Sequence, residues 1–595
     1  MVPVAHSPNS NQKIYRPLDK ARREIRLILL DPLLDPSGKL QCRLITSDLD
    51  DCKPFTALSY CWGDESFTVP ILVNGHEHQI TTNLADFLQR MRQKMENPEL
   101  LWIDALSINQ NDIEERNHQV PLMRTIYKSA ERVIAWLGEA EEGSDVITGL
   151  WLFKELASTA ITYDNDELVI DHVQDATSFA WASFKAVLAI QDRPWWNRRW
   201  VVQEAVLPEN LWLFCGSFIL MWEEFMIGMD LWEKICLKAG PDALQAANFC
   251  MVKIHQIRQA RDNAHRLEGN HPTLIQLLQN FRRLKQKLPH DSLYALHGLA
   301  SDGREYIPDY GKPATEVFFD FAIKTTEMNQ NLDILEHCQF GLQTVSGLPS
   351  WVPDWTTKHG KGVRASHRFN PALKTKSSFI INAKERILTI DAVGIGTVVS
   401  VSCELHPFWD MTVWESILST LAPQHRVCHE SSRGKALFRT VHLDLEDFWE
   451  RFQVDSPLFR LRLFRFQSAI ARLNIPVPPT FFTHDDLPRS LNSDVAKEPL
   501  VLPEVYRFDE DCGPGSSVNK KVFLLGSGYL GTTECEIQSD DLVCIILGFS
   551  FPAILRRVAG GYQYIGICFV LDFMDGEAIR MVDEGELRVE SFDLI

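Results

Sequence analysis

The sequence predicts an α/β fold, in which a mainly parallel sheet flanked by helices is followed by a helical region and a small C-terminal β barrel or sandwich. Three observations predict it. Short apolar runs alternate with amphipathic stretches over residues 56–215, and residues 218–345 are mostly of helical period. The period then becomes strand-like in two blocks, residues 377–401 and 522–570. A chain of 595 residues is too long for one hydrophobic core, so several domains are expected.

Short apolar runs predict the parallel strands. They occupy residues 56–61 (TALSYC), 100–103 (LLWI), 132–137 (RVIAWL) and 211–215 (LWLFC). Runs of this length that end at turn or polar residues are typical of strands buried on both faces. An earlier run, residues 25–30 (IRLILL), predicts one more buried strand.

Two amphipathic helices are predicted between these strands. Asn83 is expected to cap the first, in which apolar residues recur 3, 4, 7 and 11 positions after Leu84. Asp112 and Glu115 form a capping-box-like start to the second, and Pro121 predicts a kink in it.

A tryptophan-rich run, WWNRRWVVQEA at residues 195–205, precedes the last of these strands. In a helix, Trp196, Trp200 and Glu204 would lie at i, i+4 and i+8, on one face. A buried carboxylate needs a partner or has a raised pKa. Glu204 is therefore either a structural ion pair or a functional acid, and the pattern alone favours the ion pair.

Asp104 directly follows a predicted strand, and ligands of open α/β sheets gather at the carboxyl ends of strands. Ser59, Trp62 and Asp64 lie at the equivalent end of the first strand, so they could share one cleft with Asp104. The alternative is that Asp104 only hydrogen-bonds the loop at residues 107–111 (SINQN). The sequence leaves both interpretations open.

Two motif-like strings predict ordinary structure. Residues 526–531 match GxGxxG, but no helix follows to hold a pyrophosphate, so a hairpin is predicted. His76-Glu77-His78 offers two imidazoles without a third ligand, so exposed residues of an edge strand are predicted and no metal site is expected.

Composition limits the classes of partner. The net charge of -19 and the pI of about 5.4 disfavour nucleic acid, and the basic run at residues 281–287 predicts a solvated helix face. The thirteen cysteines form no CxxC pair. The first residues do not have the pattern of a signal peptide. The apolar region at residues 542–555 is too short to span a bilayer. We therefore expect a cytoplasmic protein with free thiols and without a membrane span.

Several strings, in order along the chain, resemble the fungal heterokaryon incompatibility (HET) domain. They are ALSYCWGD (57–64), LWIDALSINQND (101–112), ERNHQVPLMRTIYKSAERVIAWLG (115–138) and RPWWNRRWVVQE (193–204). Further strings, among them residues 288–300, 307–313 and 348–355, are similar to the downstream parts of long HET proteins, so the resemblance covers nearly the whole chain. FVLDFMDGEA departs from the family where a histidine-glycine pair is usual, and Cys61 and Ser107 also depart from it.

The resemblance implies a role in fungal self/non-self recognition, with programmed cell death after hyphal fusion and innate-immunity-like signalling. HET domains are distantly similar to TIR domains, whose NAD-cleaving members carry Trp-x-x-x-Glu on the third helix. Trp200 and Glu204 have this spacing. The implied site has Glu204 as the catalytic carboxylate, NAD as substrate rather than cofactor, and no metal. Its implied substrate-binding residues are Ser59, Trp62, Asp64, Asp104, Asn109, Trp196 and Trp200.

Two functions follow as alternatives. The first is an effector that hydrolyses NAD, in which a carboxylate stabilises the positive charge that builds on the ribose. The second is a non-catalytic signalling module that self-assembles or binds an unknown incompatibility partner; a weaker third option is a regulatory or resistance protein.

The predicted domains are an N-terminal segment (1–53), the TIR-like HET domain (54–217), a helical region (218–376), a β-rich domain (377–402 with 519–580) and a helical insertion with a flexible loop (403–518).

Overall fold

The computed structural model describes residues 14–94, 99–163, 170, 173–266, 271–357, 369–401 and 521–595. Its contacts divide the chain into two compact units, one up to Pro313 and one from Ala314. Across the described residues, no helix combines the length and apolarity needed to cross a membrane. The predicted helical insertion and flexible loop, residues 403–518, lie outside the described residues.

The first unit is built on a nine-stranded mixed sheet with the order β5-β4-β2-β1-β6-β3-β7-β8-β9. Its strands are β1 (Glu24–Leu30), β2 (Gln41–Asp48), β3 (Thr56–Tyr60), β4 (Thr68–Val73), β5 (His76–Thr81), β6 (Leu100–Trp102), β7 (Arg132–Trp136), β8 (Leu211–Cys215) and β9 (Phe218–Met221).

The predicted parallel strands are confirmed. β6, β3, β7 and β8 are neighbours and run parallel, and β3 is buried along its whole length. The predicted strand at residues 25–30 is β1, which pairs antiparallel with both β2 and β6. The sheet is therefore parallel from β6 to β8, and its remaining pairings are antiparallel except that of β2 with β4.

The helices of the first unit flank this sheet. They are α1 (Thr82–Lys94), α2 (Asp104–Ser107), α3 (Ile113–Ser129), α4 (Asp145–Tyr163), α5 (Ala176–Gln191), α6 (Trp200–Val206), α7 (Trp222–Ala239), α8 (Pro241–His265), α9 (Leu274–Asn280) and α10 (Asp291–His297). The region from about residue 218, predicted to be mostly helical, begins with β9 and continues with α7 to α10.

The two predicted helix starts have different outcomes. Asp112 is the N-cap of α3 and accepts from the Glu115 amide at 3.1 Å, as predicted. Asn83 is not a cap, because α1 already begins at Thr82. Its side chain instead donates to the Cys61 carbonyl at 2.6 Å and accepts from Trp136 Nε1 at 2.9 Å, so it joins two strand ends.

The tryptophan-rich run is not one helix. Residues Pro194–Asn197 form a 3-10 helix, Arg198 is extended, and α6 begins only at Trp200. Arg198 is extended because it forms an isolated parallel β-bridge with Lys285. The predicted common helix face of Trp196, Trp200 and Glu204 is therefore wrong, although Trp200 and Glu204 do share α6.

The basic run at residues 281–287 is not a helix face. α9 ends at Asn280. The chain after it runs alongside residues 197–199 and is joined to them by two main-chain hydrogen bonds. Arg199 N donates to Lys285 O at 2.9 Å, and Lys285 N donates to Asn197 O at 2.6 Å. Arg282 is buried, so the predicted solvated helix is replaced by an anchored, irregular segment.

The second unit contains a second nine-stranded sheet, in which the two predicted β blocks meet. Its strands are β10 (Phe379–Asn382), β11 (Ile387–Val401), β12 (Lys521–Leu525), β13 (Leu530–Thr533), β14 (Leu542–Ile546), β15 (Pro552–Val558), β16 (Gly561–Ile567), β17 (Phe569–Val570) and β18 (Val589–Leu594), with helices α11 (Ala314–Asn329) and α12 (Glu577–Asp583). β11 joins the blocks by pairing with β12 and β14. The barrel or sandwich form stays a prediction.

The two motif-like strings have the structures expected of them. The GxGxxG string is the hairpin between β12 and β13, with Gly528 at a φ of 93°. His76, Glu77 and His78 lie on β5, the edge strand, where Glu77 forms an exposed ion pair with Lys39.

Candidate functional site

Glu204 lies on α6 with its side chain only 1% exposed. α6 packs on β3, and Ser59 Oγ of that strand donates to Glu204 Oε2 at 2.5 Å. Ser59 Oγ in turn accepts from Trp195 Nε1 at 2.8 Å. Because Ser59 and Trp195 are themselves fully buried, this hydrogen-bond chain fixes the carboxyl group within the domain.

Arg198 provides the nearest positive charge. Its Nη1 lies 4.0 Å from Glu204 Oε2, which is too long for a hydrogen bond. Among the described residues this Nη1 has no hydrogen-bond partner, although it is buried. Burial lowers the pKa of Arg198, but Glu204 and Asp104 raise it by more, so the guanidinium stays charged beside both acids.

Asp104 begins α2, directly after β6. Its Oδ2 accepts from Trp62 Nε1 at 3.0 Å, and its Oδ1 accepts from the Ala105 amide at 2.7 Å. Gln110 of the following loop reaches the main-chain oxygen of Asp104, at 2.9 Å. The carboxylate is thus directed to Trp62, at the end of β3, which favours a shared site over a purely loop-stabilising role.

The pKa values of both acids are raised. Burial raises the pKa of Glu204 to about 7, against the effect of Arg198 and with a smaller contribution from Asp104. Burial also raises the pKa of Asp104, and Arg198 opposes it. A well-formed ion pair would lower the pKa of the acid, so Arg198 does not compensate for the burial of Glu204.

Trp62 is partly exposed at the rim of this group. The Lys287 ammonium lies 5.1 Å from the centroid of its ring, within range of a cation–π interaction. Lys287 also pairs with Glu65. The basic segment after α9 therefore reaches the same rim as Asp104.

The structure places the other predicted residues elsewhere. Asp64 is exposed and accepts from Ser66 of its own turn. The main chain of Asn109 donates to Glu115 at 2.7 Å, beside the buried Arg26–Glu115 ion pair.

The two predicted tryptophans contact other elements. Trp196 is fully buried and packs on Trp195 and Phe225, with ring centroids 4.6 and 6.2 Å apart. Trp200 lies near the buried Asp291 of α10, where burial raises the pKa of the carboxyl group and the indole makes a small opposing contribution. Of the predicted site residues, the structure brings together Ser59, Trp62, Asp104 and Glu204.

Three participants were not predicted from the sequence. Trp195 and Arg198 belong to the tryptophan-rich run, but a continuous helix would place Trp196 and Trp200, rather than these two, on the face of Glu204. Lys287 is far from Trp62 in the sequence, and its basic run carries no signal of that contact. No group of three or more histidine, cysteine or acidic side chains among the described residues is arranged to hold a metal ion.

Comparisons with known proteins found two matches. The family model described as "Heterokaryon incompatibility protein (HET)" matches residues 55–204. "Heterokaryon incompatibility protein 6, OR allele" of Neurospora crassa is 26% identical over 642 residues, covering 93% of this chain and 94% of that protein. No solved structure matches the chain significantly. The matched family region begins just before β3 and ends at Glu204, so it contains the whole Ser59, Trp62, Asp104 and Glu204 group. Residues 55–204 therefore match the heterokaryon incompatibility (HET) family model, and nearly the whole chain is similar to a heterokaryon incompatibility protein.

Proposed function

We propose that this chain acts in fungal heterokaryon incompatibility, as an effector of self/non-self recognition that leads to cell death. We further propose that its HET domain is TIR-like and hydrolyses NAD+ through Glu204. The first part is supported by the name and the nearly full-length match of the Neurospora crassa relative. The second part is supported by the chemistry of the buried acid.

The observation that carries this proposal is the pKa of Glu204, which burial raises to about 7 even with Arg198 nearby. Leaving a carboxylate in such a position costs folding free energy. Acids placed in this way are concentrated at functional sites, where a group must change its charge near neutral pH.

The charge balance suits a cationic substrate. Arg198 lies beside Glu204 and Asp104, so it balances one of the two carboxylates. With both acids ionised, these three groups carry a net charge of about one negative unit. Cleavage of the bond between nicotinamide and ribose develops positive charge on the ribose, which a neighbouring carboxylate would stabilise.

Access to Glu204 requires movement, since its side chain is 1% exposed and bonded to Ser59. Asp104 and Trp62 are partly exposed and would meet a ligand first. We propose that self-assembly or binding of an incompatibility partner shifts α6 relative to β3 and uncovers the carboxyl group. The single chain would then be inactive until it is triggered.

The test is nicotinamide release from NAD+ by concentrated, purified protein, comparing wild type with Glu204→Gln. Glu209→Gln, an exposed acid just after α6, is the matched control. We expect Glu204→Gln to lose at least about 100-fold in rate and the control to keep the wild-type rate. Negligible release by all three proteins, or equal release by all three, would overturn the enzymatic proposal.

The exclusion of Glu204 from solvent favours a second candidate function, a non-catalytic signalling module in which the acid is structural. In that case a folded Glu204→Gln variant would still trigger incompatibility when expressed in a tester strain. Loss of the cell-death response in this variant, with folding intact, would favour the enzyme instead.

A further inference from the structure

We propose that Trp62 is a stacking platform for a cationic aromatic ring, and that the ammonium group of Lys287 occupies this platform in the free protein. This inference rests on the proposed function, because the nicotinamide of NAD+ is such a ring. It adds the residue that would receive the ring and the internal group that the ring must displace.

The surroundings of Trp62 favour a cation on its ring. The indole Nε1 donates to Asp104 Oδ2 at 3.0 Å, which fixes the plane of the ring and places a carboxylate at its edge. Donation to an anion also increases the electron density of the indole, and the negative ring face is what attracts a cation. Lys287 uses this property, with its Nζ 5.1 Å from the ring centroid.

Lys287 is held near the ring, but not tightly. The main chain just before it is anchored by the hydrogen bonds between Lys285 and residues 197–199. The side chain itself is 60% exposed, and its partner Glu65 is 51% exposed. Exposed ion pairs and exposed cation–π contacts are both weak, so a ligand can displace the ammonium while Lys287 keeps its pairing with Glu65 or enters solvent.

A bound cationic ring would therefore take the place of the Lys287 ammonium on the ring of Trp62. A permanently charged ring should bind better than a neutral ring of the same shape, because only the charged ring recovers the lost cation–π interaction. Removal of Lys287 should strengthen binding by about two- to fivefold, the factor that corresponds to an exposed cation–π contact.

The test uses 1-methylnicotinamide, a permanent cation, and nicotinamide, its neutral counterpart, in ligand-observed NMR titrations of the full chain. Neither ligand contains a bond between nicotinamide and ribose, so the assay is independent of turnover. We expect 1-methylnicotinamide to bind more tightly than nicotinamide and Lys287→Gln to tighten its binding by about two- to fivefold. Lys285→Gln removes the same charge from an exposed position on the same segment and is the matched control, with a change below about twofold.

The Lys287→Gln substitution is also made in a Trp62→Leu variant, which gives a double-mutant cycle. There it should produce no gain in affinity for 1-methylnicotinamide, because the ring is absent. Equal effects of Lys287→Gln and Lys285→Gln, a gain that persists without Trp62, or no binding of 1-methylnicotinamide to any variant would each overturn the inference. Circular dichroism and thermal unfolding of every variant show whether it is folded. Ring binding without NAD+ consumption would overturn the proposed function alone, whereas NAD+ consumption without the Lys287 effect would overturn this inference alone.

Discussion

At the scale of single residues, Glu204 is subject to opposing influences. Burial raises its pKa to about 7, while Arg198 and the hydrogen bond from Ser59 act in the opposite direction. The arginine lies too far away for a direct hydrogen bond, so burial dominates. The acid consequently holds its proton in the folded protein at pH values where the unfolded chain has released it.

This difference predicts a pH-dependent stability. A raised pKa in the folded state favours folding at low pH, and the contribution is lost as pH rises from about 4.5 to about 7. Glu204→Gln cannot ionise, so its stability relative to wild type should increase over this range by up to about 3 kcal/mol. Thermal unfolding of both proteins between pH 4.5 and pH 8 measures this, with Glu209→Gln as control. Parallel pH profiles of wild type and Glu204→Gln would show that Glu204 is not an acid with a raised pKa.

At the scale of elements, the site depends on how the segment between α5 and α6 meets the segment after α9. Arg199 is buried, and its Nη2 donates to Arg282 O at 2.8 Å and to Leu284 O at 3.3 Å. Together with the bonds at Lys285, these contacts hold Arg198 extended beside Glu204.

Arg199→Ala should therefore release the basic segment as well as destabilise the domain. The substitution leaves buried carbonyl groups without donors, and we expect a loss of about 2 to 4 kcal/mol in unfolding free energy. Amide hydrogen exchange should become faster at Arg198 and Lys285. Arg22→Ala, at an exposed arginine, is the control. Unchanged exchange at Lys285 in a folded Arg199→Ala variant would contradict this role.

The same elements show what the sequence could predict. The four parallel strands were predictable because each is a short apolar run buried on both faces, which leaves a local signal. The extended Arg198 was not, because its conformation comes from pairing with Lys285, far along the chain, which overrides the helical spacing of the tryptophans. The candidate site was predictable at the carboxyl ends of strands, at Ser59, Trp62 and Asp104, and not where it depends on such long-range contacts.

At the scale of the whole molecule, the sheet of the first unit includes strands from before the HET domain. β1 and β2 lie between β4 and β6, so the N-terminal segment occupies the middle of the sheet rather than its edge. Arg26 of β1 also forms a buried ion pair with Glu115 of α3. Residues before 54 are therefore structural partners of the HET domain.

This arrangement predicts that a fragment of residues 54–217, the domain predicted from the sequence, will not fold by itself. It would expose the edges of β4 and β6 and leave Glu115 buried without its arginine, and the loss of one partner of a buried pair alone costs about 3 to 5 kcal/mol. A fragment of residues 14–313 keeps these contacts and should fold. Size-exclusion chromatography and cooperative thermal unfolding distinguish the two. A monomeric, cooperatively unfolding 54–217 fragment would contradict the structural role of β1 and β2.

The central claim, that Glu204 is a catalytic carboxylate, is tested most directly by the rate of nicotinamide release from NAD+ as a function of pH. Wild-type protein under assembling conditions should release nicotinamide at a rate that rises with pH up to about 7, as Glu204 ionises. Glu204→Gln should show no such release at any pH. Release that persists in Glu204→Gln, or no release from assembled wild-type protein across the whole range, would contradict the claim.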